Sequence, residues 1–95
     1  MTTVIKPYTP INCAFHDYLE HFATLGKLVA IVYTDHRTSE IETIEKAIIT
    51  DLTGGRNGEY SHIEFDNQEV IIRNDFLISV GGIKVADFDK GKCDI

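Results

Sequence analysis

Glu40-Ile41-Glu42-Thr43-Ile44-Glu45-Lys46-Ala47-Ile48-Ile49-Thr50-Asp51-Leu52 admits two readings, and the choice between them decides the fold. Ile41, Ile44, Ala47 and Ile48 fit a helical i, i+3, i+6, i+7 spacing. In strand geometry Ile41 and Thr43 share one face, whereas Ile44 and Ile48 fall on the other. Such a change of phase marks a bulge or a strong bend. The run is short and a small barrel needs curvature, so a bent strand is expected.

The flanks agree with that choice. Residues 27–34 are β-branched and apolar on both faces, as expected of a strand covered twice, by a barrel interior and by a helix. Asp35-His36-Arg37-Thr38-Ser39 is a polar hairpin turn. On the other side, Thr53-Gly54-Gly55-Arg56-Asn57-Gly58 is the strongest turn signal in the chain. Tyr60 to Phe65 then alternates, with Ser61, Ile63 and Phe65 on one face. Asp66-Asn67 makes a tight turn, and Gln68 to Arg73 points Val70 and Ile72 inward and Ile71 outward. After a turn at Asn74-Asp75, Phe76 to Val80 leads to Gly81-Gly82, beyond which Ile83-Lys84-Val85 continues the strand past a glycine kink.

Ahead of the strands lies one helix, at residues 12–25. Pro10 lacks an N–H and keeps Thr9 extended, so the helix starts after it. Asn12 is a suitable N-cap and Gly26 a suitable C-terminal stop. Phe15, Tyr18, Leu19 and Phe22 recur at i, i+3, i+4 and i+7 and form the apolar face. The fold class expected is mainly β with one N-terminal helix (α+β), a small Sm-like or SH3-like antiparallel barrel of about five strands. The pattern alone also allows an OB-like barrel. Residues 1–7 form a loose arm, 27–86 the barrel, and 87–95 a charged tail expected to fray, all in one domain.

Composition narrows the function classes. Among 95 residues, 15 acids stand against 9 bases, a net charge of −6. That balance disfavours direct nucleic-acid binding, which needs a basic face, and favours a basic protein partner. It would also simply keep a small domain in solution. The two cysteines, Cys13 and Cys93, are too few for a secreted disulfide framework, and their spacing suggests no metal site. No signal segment or membrane-length apolar run is evident, so a cytoplasmic monomer is expected, although an exposed edge strand could pair.

Little in the chain points to catalysis. Cys13 in the first helical turn with His16 three residues on could form a thiolate pair, but no oxyanion hole accompanies them, and a packing role for Cys13 is favoured. His16 and His21 are five apart, which splays them around the helix. Asp17 and His21 could form a solvated pair. The 53–58 loop lacks the Gly-Lys-Ser/Thr ending of a phosphate loop. Asp87, Asp89 and Gly91 have the wrong spacing for a calcium loop. Tyr60, Phe65 and Phe76 could stack on bases, but Glu59, Asp66 and Asp75 beside them repel phosphate, so core packing is the better account. No catalytic residue, metal or cofactor is expected, and the protein is read as a non-enzyme.

Pro10-Ile11-Asn12-Cys13, followed by Asp17, Leu19 and Glu20 and then by a β-rich body of this size, resembles the Rof family of bacterial Rho-binding antiterminators. Lys46-Ala47 through Asp51-Leu52 to Arg56-Asn57-Gly58-Glu59-Tyr60 matches the family in outline, and the resemblance covers about residues 8–82. Where the family carries acidic residues after the cysteine, this chain has Ala14 and Phe15. The resemblance implies the Sm-like choice of barrel. It also implies a partner, transcription termination factor Rho, bound near its RNA-loading site so that transcript RNA is excluded. Asn12, Asp17 and Glu20 are the contact residues it points to, with Arg56, Asn57 and Glu59 as a second patch. Asp17 and Glu20 would equally suit the start of a helix, where the macrodipole favours negative charge. The competing expectation is an Sm-like RNA-binding module, assembling through edge strands into a ring.

Overall fold

A computed structural model describes Tyr8 and residues 11–55 and 58–88. The arm at 1–7, the extended lead at Thr9-Pro10, the turn residues Arg56 and Asn57, and the tail at 89–95 lie outside the described residues. Helix α1 spans Cys13–Leu25. Asn12 caps it: its side-chain oxygen accepts the Ala14 N–H at 2.7 Å, a contact worth about 1 kcal/mol. Gly26 ends it at φ +60, donating its N–H to Phe22 and Ala23.

Six strands follow: β1 Val29–Thr34, β2 Ile41–Gly55, β3 Gly58–Phe65, β4 Gln68–Arg73, β5 Leu77–Val80 and β6 Ile83–Lys84. They form one antiparallel sheet in the order β4-β3-β2-β1-β5-β6. This is the expected mainly-β, small-barrel class with one helix.

β2 holds the sheet together, pairing β1 along its first half and β3 along its second. The bend predicted for it is present as two register shifts. Between Val29↔Ala47 and Ile31↔Ile44, β2 advances three residues for two of β1. Between Ile49↔Ile63 and Asp51↔His62 it advances two for one, leaving Thr50 as the extra residue. The shifts rotate Ile44, Ala47 and Ile49 onto one buried face. Ile41, by contrast, stays 67% exposed. Helical spacing at 41–48 loses because only the bent strand can pair on both sides at once.

The core joins Phe15, Leu19 and Phe22 of α1 to Ile31, Ala47, Ile49, Ile63 and Val80. Losing Phe15 or Leu19, both fully buried, would cost about 3–5 kcal/mol.

Four expectations need correction. Tyr18 sits at the margin of the helical apolar face, 43% exposed and edge-on to Phe88. β1 is not covered twice: Leu28 and Ala30 are exposed, because α1 packs into the core face rather than across the back of β1. Ile83-Lys84 does not continue β5. Gly81 and Gly82, at φ +60 and +82, reverse the chain, and β6 pairs back on β5 through Ser79↔Lys84 and Val80↔Ile83. Nor is the start of the tail frayed, since a 3₁₀ turn at Val85–Asp87 delivers Phe88 edge-on to Phe15 at 5.8 Å.

A sealed polar cluster lies where β4 runs into a 3₁₀ turn at Asn74–Phe76. Arg73 binds Asp75 through Nε at 2.6 Å and through a terminal guanidinium nitrogen at 2.9 Å. Its guanidinium lies 4.5 Å from the Phe76 ring centroid and 5.8 Å from that of Tyr8. Next to it, fully buried Ser61 donates its hydroxyl to Asn74 at 2.6 Å.

Candidate partner-binding surface

One side of α1 faces the middle of the β2–β3 hairpin across a groove of about 510 Å³. His16, Glu20, Ala23 and Thr24 line it from the helix, at the i, i+4, i+7, i+8 spacing that puts them on one face. Residues 50–54 of β2 and Glu59 of β3 form the opposite wall. The bulge at Thr50 shapes that wall. Its hydroxyl donates to the His62 carbonyl at 3.2 Å, and Thr53 Oγ1 meets His62 Nε2 at 3.0 Å. Asp51 accepts the Leu52 N–H at 2.9 Å, which fixes its carboxylate on the rim.

His16 bridges the two walls. Its Nδ1 lies 3.0 Å from Glu20 and its Nε2 3.3 Å from Glu59. The i, i+4 pair on the helix is thus His16–Glu20 rather than the expected Asp17–His21. Glu20 and Glu59 remain open to solvent, so each contact adds little to stability, about 0–1 kcal/mol.

The predicted contact residues divide as follows. Asp17 and Glu20 are exposed on α1, and neither is in its first turn, so the macrodipole, which acts within that turn, does not account for them. Asn12 is half-buried and caps the helix with its side-chain oxygen. Glu59 joins Glu20 at His16, which merges two patches that are 39 positions apart in the sequence. Arg56 and Asn57 lie outside the described residues. Ala14 is exposed, while Phe15 is a core residue.

His16 and Asp51 were not predicted as site residues. For His16, the usable signal was its four-residue spacing to Glu20. Asp51 gave none, because only the bulge aims it here.

The ligand atoms of His16, Asp17 and Glu20 lie within 4.8 Å of one another, a spacing that could accept a cation, though all three are on the surface. Cys13 is disulfide-bonded and presents no thiolate for nucleophilic attack. Phe76 is buried beneath Arg73, as its expected core role requires. Among the described residues no helix is long and apolar enough to cross a membrane. No protein-family model, curated protein or solved structure matches the chain.

Proposed function

We propose that this chain is a Rho-binding antiterminator of the Rof type, a non-enzymatic monomer that acts in the cytoplasm. Its acidic surface, centred on Asp17, Glu20 and Glu59, occupies the basic RNA-loading site of Rho. It excludes transcript by competition and by like-charge repulsion of phosphate. The observation that carries this reading is the meeting of Glu20 and Glu59 at His16. The two stretches that resemble the Rof family, far apart in the chain, each bring one carboxylate to the same histidine ring. The excess of acids over bases supports the same direction of complementarity.

The test is a titration of the full chain against purified Rho, with and without a pyrimidine-rich RNA. Because Rho works in a reducing compartment and Cys13 is oxidised in this structure, both reducing and non-reducing buffers are used. Binding that the RNA displaces, and that Asp17→Lys or Glu20→Lys weakens by about tenfold or more, is expected. Folded protein that fails to bind Rho at moderate salt in either buffer would overturn the reading. Direct RNA binding with a steep salt dependence would replace it with the Sm-like RNA-binding module.

A further inference from the structure

Cys13 is disulfide-bonded, and no described cysteine is free. The sequence holds one other cysteine, Cys93. Within a single chain the bond therefore joins Cys13 to Cys93 and ties the end of the sequence to the first turn of α1. A second, independent contact fixes the approach to that tail on the same helix. The 3₁₀ turn at Val85–Asp87 leads into Phe88, whose ring is edge-on to Phe15 at 5.8 Å and to Tyr18 at 6.1 Å.

The chain between these two pins is short. From Phe88 to Cys93 is five residues, which reach at most about 17 Å. Going round α1 from Phe15, the side chains come in the order Tyr18, Ala14, Asp17, Cys13. Tyr18, Ala14 and Asp17 are exposed, whereas Phe15 and Leu19 on the other arc are in the core. The route open to the tail from Phe88 to Cys13 thus crosses the exposed arc, which carries the candidate contact residue Asp17. The two pins differ in kind. Ring contacts open and close thermally, whereas the sulfur bond opens only to a thiol, and Cys13 is half-buried, within reach of a small one.

We propose that the Cys13–Cys93 bond is a redox-operated strap. Oxidised, it holds residues 89–92 across the exposed arc of α1 and keeps a large basic partner off the helix. Reduced, it lets the tail go. Asp17 is exposed in the oxidised chain, so the strap withholds close approach of a macromolecule rather than water. The segment carries Asp89 as well as Lys90 and Lys92, so its effect is steric. The reductant is a dithiol. One of its thiolates attacks one sulfur of the bridge, and the other cysteine leaves as a thiolate and takes a proton. The reductant's second thiol then displaces the remaining cysteine from the mixed disulfide. Two electrons and two protons pass to the protein, and the reductant departs as its own disulfide. The role of the partner rests on the reading given under Proposed function; the strap does not.

The test compares the ¹⁵N-labelled full chain before and after dithiothreitol, with Cys93→Ser as a variant that is open without reductant. Peptide mapping of the unreduced monomer should find the Cys13 and Cys93 peptides linked, and reduction should yield two alkylatable thiols. Backbone amide shifts on reduction should concentrate at Asn12 to Tyr18 and Val85 to Phe88, with hydrogen exchange at Phe88 faster by tenfold or more. The midpoint of thermal unfolding should fall by about 10 °C or more, because the bridge closes a loop of nearly the whole chain. Cys93→Ser should reproduce the reduced spectrum. Three results would overturn the strap: free thiols in the unreduced monomer or a bond between two chains, amide shifts no larger near α1 than at Glu42 and Glu69, or a reduced chain that unfolds outright, which would make the bond a staple and not a switch.

A Rho titration of both forms separates this proposal from the functional reading. Several-fold tighter binding by the reduced chain and by Cys93→Ser is expected. If both forms bind equally, control of the partner by the strap falls and the antiterminator reading stands. If neither form binds while the amide shifts appear as described, the antiterminator reading falls and the strap remains.

Discussion

Two charged clusters in this small barrel use the same chemistry to opposite ends. Arg73 and Asp75 form a bidentate pair whose side chains are each only 8% exposed, sandwiched against Phe76 and Tyr8. The His16–Glu20–Glu59 cluster has similar contact distances, but its carboxylates are 58% and 45% exposed. In the first, burial shields the charges from most solvent, so the pair is tied to one backbone arrangement. In the second, water screens the contacts, and another cation could exchange for them at little cost to the fold. The chain folds on the sealed cluster and offers the open one.

The sharpest way to break this comparison is Arg73→Ala. Removing the guanidinium takes from Asp75 its two short contacts, and urea unfolding should report a loss of about 3–5 kcal/mol. A double variant, Arg73→Met with Asp75→Asn, should recover a large part of that loss; strict additivity would mean that the pair is not coupled. Next in size is Gly58→Ala. A methyl there would stand 2.7 Å from Tyr8 Cδ1, at φ +128, and should cost about 1–3 kcal/mol in the same measurement.

On the open cluster, Glu20→Gln with Glu59→Gln should change unfolding free energy by less than about 1 kcal/mol. The same change should abolish competition with RNA for Rho, and a stability loss as large as that of Arg73→Ala would erase the distinction between the clusters.

The smallest effect is confined to alkaline pH. Burial, with the Glu59 and Asp75 carboxylates adding to it, pushes the Tyr8 phenol above its ordinary 10. The neutral phenol is therefore favoured in the folded state. Its contribution is fully present below pH of about 10 and is lost as pH rises through the higher folded value. The stability difference between wild type and Tyr8→Phe should thus be flat at neutral pH and change only above about pH 10.

The fold was legible where one residue type left one option. Asn12, Gly26 and the spacing of Phe15, Leu19 and Phe22 placed α1 because caps and helical periodicity act locally. Asp66-Asn67, at φ +48 and +61, is the hairpin turn that its composition announced. The phase slip in β2 announced its bend, but not which residue would be extra.

What stayed hidden depends on contacts between distant segments. Gly81-Gly82 can kink or reverse a strand with equal local ease, and reversal wins because β6 finds hydrogen bonds along β5. Phe88 looked like part of a charged tail, yet its ring packs on Phe15 and Tyr18. Of the candidate site, Asp17, Glu20 and Glu59 came from the resemblance. Their convergence on His16 did not, since nothing in the sequence encodes the distance between α1 and β3.

β6 is two residues long, and it has a consequence for assembly. Ile83 and Lys84 occupy the outer edge of β5, so a strand from a neighbouring molecule could add there only by evicting them. Among the described residues that leaves β4, six residues long, as the longer of the sheet's two terminal strands. An edge that can meet only its own copy closes on itself after one contact, with two molecules related by a two-fold axis. Rings and fibres need two unlike edges that repeat head to tail. With β6 cut to two residues, the sheet offers a neighbouring strand little to pair with at that end.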